Sequence, residues 1–199
     1  MLRLVAAGLC SLFSLTACIE VYDQRVEVTP GTVPPEIRGA KWPNTPIEYC
    51  IVRDGSEGFV DHETLVSLTQ QAFAAWGVET QFEGDCGGPI ANDNGRNEIG
   101  WGDLGKAPDD LTEAGNTNIR YRTSLLGGAP DITEADVTIH REPARGKGNE
   151  ACLLATLLHE TGHVLGLPHL STESVMSPVI TDCLDAPTPE DVRALDELY

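Results

Sequence analysis

His159-Glu160-Thr161-Gly162-His163-Val164-Leu165-Gly166-Leu167-Pro168-His169 is the stretch from which the rest of the chain is read. On an α-helix, residues four apart stand one above the other, so His159 and His163 point the same way and can bind one ion from a single rigid element. Glu160 lies about 100° around the helix from His159. There it can reach a water on that ion without taking a coordination position, and it is placed as a base. A third ligand must arrive from another direction, which requires the helix to end and the chain to turn. Gly166 permits the turn, because it takes a left-handed backbone conformation at no steric cost, and Pro168 discourages a return to helix. His169 is then delivered from the opposite side. Three neutral histidines with an open fourth position describe a catalytic Zn2+ site, whereas structural zinc sites fill all four corners, usually with cysteines among the ligands. Cys152 lies roughly 10 Å along the helix axis from His159, too far to share the ion. Five fixed positions, each at a frequency of roughly 2 to 7%, make chance occurrence in such a chain on the order of one in 10⁵. His62 and His140 stand outside the pattern and read as surface or satisfied core residues.

Working outward, Asn149 is a suitable N-cap for this helix, which continues through Leu153, Leu154, Leu157 and Leu158 to Gly166. Upstream, Ile47 to Val52 is rich in strand-forming types and is ended by the turn signal Asp54-Gly55. From Asp61 the apolar residues Leu65, Leu68, Ala72, Phe73 and Trp76 recur at spacings of three and four, and Gly77 follows as a stop. Short strands are expected at 80–82, 98–101, 118–122 and 136–140, separated by Gly-, Asn- and Asp-rich loops. Thr188-Pro189 opens a final helix that is expected to bury Val192, Leu195 and Leu198.

The chain has 199 residues, enough for one compact domain. Its formal charge of −18 argues against nucleic acid or anionic lipid as a partner. Met1-Leu2-Arg3 and the apolar run to Leu15 read as a signal peptide, too short to span a membrane. Leu15-Thr16-Ala17-Cys18 resembles the lipobox of bacterial lipoproteins, in which the peptide is cut before the cysteine and the cysteine carries the lipid. Ile19 after it fits outer-membrane sorting in a Gram-negative host, so an extracytoplasmic, lipid-anchored protein is expected. Pro30, Gly31, Pro34, Pro35 and Gly39 mark residues 18–41 as an extended tether. Residues 42–199 are then the folded domain. With Cys10 removed and Cys18 lipidated, Cys50, Cys86, Cys152 and Cys183 remain, and an oxidising compartment favours two disulfides. Three connectivities are open. Cys50 with Cys86 and Cys152 with Cys183 is favoured, each pair bracketing one half of the domain.

HExxHxxGxxH resembles the metzincin metallopeptidases, and Ser174-Val175-Met176-Ser177 agrees, since metzincins carry a methionine turn whose thioether lies beneath the zinc as an apolar floor. Within that group the details look most like matrixins: Trp42-Pro43, the helix ending Ala72-Phe73-Ala74-Ala75-Trp76, the strand Ala135 to Ile139, and Thr188 to Tyr199. The resemblance implies an α+β zincin fold. Its parts would be a mixed, mostly parallel five-stranded sheet, a helix after the first strand, an active-site helix, the turn at Met176 and a C-terminal helix. It also implies one catalytic Zn2+, a specificity pocket walled by Pro178, Val179 and Ile180, and a monomer. An extended peptide substrate would pair beside the edge strand near Asn118 to Arg122. No PRCGxPD-type segment is found, so latency by a cysteine switch is not expected, and the structural zinc and calcium of animal matrixins are not carried over.

The resulting expectation is a zinc endopeptidase in which Glu160 serves as general base and then as general acid. Two other readings compete with it: an inactive zinc-binding surface or adhesion module, and an amidase acting on cell-wall peptides. Retention of Glu160 weighs against the module, because a purely structural site has no use for that carboxylate.

Overall fold

The computed structural model describes residues 21–28, 39–55, 58–104, 114–124, 128–142, 149–180 and 182–199. The expected signal peptide and the lipobox at Cys18 lie outside the described residues. The elements are β1 (Val21–Val28), β2 (Ile47–Val52), α1 (His62–Trp76), β3 (Thr80–Cys86), β4 (Glu98–Gly102), β5 (Gly115–Ser124), β6 (Asp131–His140), α2 (Glu150–Val164) and α3 (Pro189–Leu198). The strands form one sheet in the order β1-β5-β6-β4-β2-β3. β2 runs parallel to β3 and β4, and β4 runs parallel to β6, while β5 is antiparallel to both β6 and β1. The five strands expected of the domain are therefore β2 to β6, and three of their four pairings are parallel.

β1 revises the tether. Residues 21–28 pair along nearly the whole of β5, from Val21 opposite Ser124 to Val28 opposite Thr117, and add a sixth strand at the edge. Proline and glycine dominate residues 30–39 and suggest a linker throughout, yet Val26-Glu27-Val28 just before them carries the alternation of a strand.

Local signals account for the helix ends. Asp61 accepts from the Thr64 N–H as N-cap of α1, and Gly77 closes it at φ 71°. Asn149 does the same for α2 through the Cys152 N–H. The stripe Leu65, Thr69, Ala72, Phe73 and Trp76 of α1 is buried, and the Trp76 indole N–H reaches Leu158 O and Thr161 Oγ1 of α2, each at 3.1 Å. Burying a side chain such as Phe73 contributes on the order of 1.5–3 kcal/mol. α2 is buried on every side from Cys152 to Val164, as befits a helix caught between sheet and loops.

In α3 the capping box between Thr188 and Asp191 is complete. It brings a correction: Asp191 is wholly buried and Leu195 is buried, but Val192 stands 45% exposed. Polar capping, not the apolar spacing, sets which side of α3 faces inward. Both disulfides join the favoured partners, Cys50 with Cys86 and Cys152 with Cys183, with Cα atoms 5.6 and 4.6 Å apart. On the sheet side, the buried carboxylate of Glu134 holds the turn before β4, accepting from the backbone N–H groups of Asp93 at 2.7 Å and Gly95 at 3.0 Å. Among the described residues no helix is long and apolar enough to cross a membrane.

Candidate metal centre

α2 presents His159 and His163 one turn apart, and the chain then reverses. Leu167 N–H donates to Gly162 O at 3.0 Å and Gly166 N–H to His163 O at 2.8 Å, the paired bonds that close a helix through a left-handed residue. Gly166 is that residue, at φ 94°. A side chain there would also overlap the Ala40 carbonyl, so this glycine answers to two constraints, of which the sequence shows only the first. The last carbonyls of α2, which have no partner within the helix, are met by the Trp42 indole N–H on Val164 O at 2.7 Å and the Tyr199 hydroxyl on Leu165 O at 3.0 Å. Both ends of the domain thus clamp the turn that delivers His169.

The three imidazoles converge. His163 Nε2 lies 3.0 Å from His159 Nε2 and 3.2 Å from His169 Nε2. The other ring nitrogens of two of them meet carbonyls: His159 Nδ1 meets Val175 O and His163 Nδ1 meets Leu167 O, each at 2.8 Å. A carbonyl can only accept, so those Nδ1 atoms carry the protons and the Nε2 lone pairs face one another. Burial favours the neutral ring in all three. It lowers the pKa of His159, lowers that of His163 well below the usual value with help from its two neighbours, and lowers that of His169 to about 4. Nitrogens held at 2.0–2.1 Å around one tetrahedral zinc lie about 3.3 Å apart, so this donor set fits that ion. Cys50, Cys86 and Glu98 also lie close together, but the two sulfurs are joined to each other and offer no thiolate.

The matrixin family model matches residues 41–199. The chain belongs to the matrixin family. Matrixins are zinc-dependent metallopeptidases, and the match begins at residue 41, which leaves β1 outside it. A search among curated proteins matched none.

In this matrixin, Met176 is wholly buried against α2, and Gly162 makes room for it: a Cβ on Gly162 would overlap the Met176 sulfur. The turn is tied down on both sides. Leu170 N–H donates to Met176 O at 2.9 Å, joining it to the residue after His169. From below, Asp191 accepts from Val175 N–H at 3.1 Å, Met176 N–H at 3.3 Å and the Ser174 hydroxyl. Val175 therefore passes a chain of hydrogen bonds from Asp191 to His159. Neither Gly162 nor Asp191 is singled out by sequence reasoning, although the capping box around Asp191 was available as a signal.

A cavity of about 160 Å³ opens beside the turn, lined by Ala155, Val175, Ser177, Val179, Ile180 and Leu184 among others. Val179 and Ile180 are among its lining residues. Pro178, between Ser177 and Val179, is exposed and is not among them. Glu160 is buried, and its Oε2 accepts from the Thr117 hydroxyl of β5 at 2.6 Å. Gly115, two residues earlier on the same strand, lies so close that a Cβ there would stand 2.7 Å from Glu160 Cγ and Oε1. Nothing in the local sequence announces this contact across 43 residues of chain.

Proposed function

We propose that this matrixin is an endopeptidase that cleaves peptide bonds with Glu160 as general base and general acid, on one Zn2+ held by His159, His163 and His169. The observation that carries the reading is the convergence of three neutral Nε2 atoms on one point with a buried carboxylate on the same helix. When bound, zinc would polarise the scissile carbonyl and make a water acidic enough to lose its proton near neutral pH. Glu160 takes that proton as the water oxygen adds to the carbonyl carbon, and returns it to the amide nitrogen as the C–N bond breaks. His159 and His163 are held in a single tautomer by Val175 O and Leu167 O, so the ligand nitrogens need no reorganisation.

An extended substrate would place one side chain in the cavity beside Val179 and Ile180 and pair with the outer edge of β5. The backbone groups of that edge already bond to β1, so substrate binds there by displacing β1. Cleavage of a denatured protein by wild type, absent in Glu160→Ala, is the expected result. Equal cleavage by both would sink the enzymatic reading, and cleavage confined to peptidoglycan fragments would move it to a cell-wall amidase. We also infer attachment to the outer membrane through a lipid on Cys18, a reading supported by the two disulfides, since such bridges persist in oxidising compartments. Fatty-acid labelling that persists in Cys18→Ser would contradict it.

A further inference from the structure

We propose that Thr117 is a positioning residue for Glu160, and that Gly115 is the space in which the positioned carboxylate sits; the proposal rests on the reading of Glu160 as the proton-transferring group. A carboxylate taken out of water requires hydrogen-bond donors, and a donor also fixes where its oxygens point. The Thr117 side chain is wholly buried, and its hydroxyl stands 2.6 Å from Glu160 Oε2 and 3.2 Å from Glu160 O. The shorter contact is to the charged acceptor, where the single hydroxyl proton gains most.

Residues two apart on a strand share a face, so Gly115 and Thr117 both confront α2. They act on opposite parts of one group. Thr117 holds Oε2, while the Gly115 backbone lies against Oε1 and Cγ closely enough that any Cβ at 115 would push the side chain aside. The carboxylate is thereby prevented from rotating about its last bond. Threonine suits the role better than serine or valine alone: its branched Cβ restricts χ1, and its hydroxyl donates. β5 is paired to the sheet at this point, Thr117 lying opposite Val137 of β6, so the donor is mounted on a rigid strand. A proton-transferring group held within a fraction of an ångström of its working geometry loses rate when its support goes, even though the group itself remains.

The test compares Thr117→Val, Thr117→Ser and Glu160→Gln in the zinc-loaded protein, with metal content measured for each. Thr117→Val is expected to lower kcat on the order of 10- to 100-fold with KM within about twofold of wild type and zinc content unchanged. Thr117→Ser, which keeps the hydroxyl, is expected to recover most of that loss. In a Glu160→Gln background, Thr117→Val is expected to lower kcat no further. A second readout needs no catalysis: in the metal-free protein, the effects of Thr117→Val and Glu160→Gln on the unfolding midpoint are expected to be non-additive. Wild-type kcat in Thr117→Val, equal losses in the Ser and Val variants, or a loss confined to KM would each overturn the proposal. Should Thr117→Val not fold, Thr117→Ser and Thr117→Ala supply the same comparison. Failure of the underlying reading looks different: Glu160→Gln would then cleave as well as wild type, whatever Thr117 does.

Discussion

Replacing Asp191 by alanine tests how the last helix supports the metal centre. The side chain is wholly buried and accepts from five donors: the Ser174 hydroxyl, Thr188 Oγ1 at 2.7 Å, Thr188 N–H at 2.8 Å, Val175 N–H at 3.1 Å and Met176 N–H at 3.3 Å. Met176 N–H keeps a second acceptor in Ser174 Oγ, so the groups left wanting are those of Val175 and Thr188. Hydrogen bonds to a charged acceptor contribute about 1.5–3 kcal/mol each, and loss of a cap costs about 1 kcal/mol. Allowing for coupling among neighbours, the variant should lose on the order of 3–5 kcal/mol. At about 2–4 °C per kcal/mol for a chain of this size, the unfolding midpoint should fall roughly 6–20 °C. Because Val175 also positions His159, zinc affinity should drop about tenfold or more. The same carboxylate predicts an acid signature. Burial works to raise its pKa, but the hydrogen bonds from Ser174, Thr188 and Val175 outweigh burial and leave it lowered. Its contribution is therefore fully present above the ordinary carboxylate pKa of about 3.9 and is lost as pH falls through the folded value. Thermal unfolding followed by circular dichroism at pH 7 and at pH 3 should show the gap between wild type and variant narrowing in acid. A variant that melts within about 2 °C of wild type at pH 7 would refute the reasoning.

Three further outcomes follow from the packing. Gly162→Ala places a methyl group on the Met176 sulfur and Trp76, and should cost about 1–3 kcal/mol with reduced zinc retention; titration with a competing chelator measures it, and unchanged affinity would contradict the close packing. Trp42→Phe removes the donor to Val164 O, and a loss of about 1–2 kcal/mol in a denaturant melt is expected; no loss would mean that this helix end is satisfied some other way. Deleting residues 19–38 uncovers the edge of β5, so KM for an extended peptide should fall several-fold with kcat little changed; an unaltered KM would show that β1 does not compete with substrate.

What the sequence discloses here is what is local. The histidine spacing, Gly166, and the caps Asp61, Asn149 and Thr188 act within a turn or two of chain, and each sits where its chemistry requires. Strand lengths were less visible. β5 begins with Gly115 and Asn116, poor strand formers drawn into the sheet by β6, and β3 runs on through Gly84 because β2 pairs with it. The tether concealed β1, whose valines gain meaning only against an open edge. Val192 misled because spacing alone cannot show that the neighbouring aspartate is the buried residue. Thr117 and Glu160, or Asp191 and Val175, meet only after folding, and no window along the chain contains the first pair.

The central claim is that three histidines and Glu160 make one hydrolytic zinc site. Its most direct test is cleavage of a denatured protein by wild type and Glu160→Ala loaded with equal zinc. One ion per chain in both, with cleavage in the variant lowered by a factor on the order of 10³ or more, is the predicted result. Equal zinc with equal cleavage would contradict it.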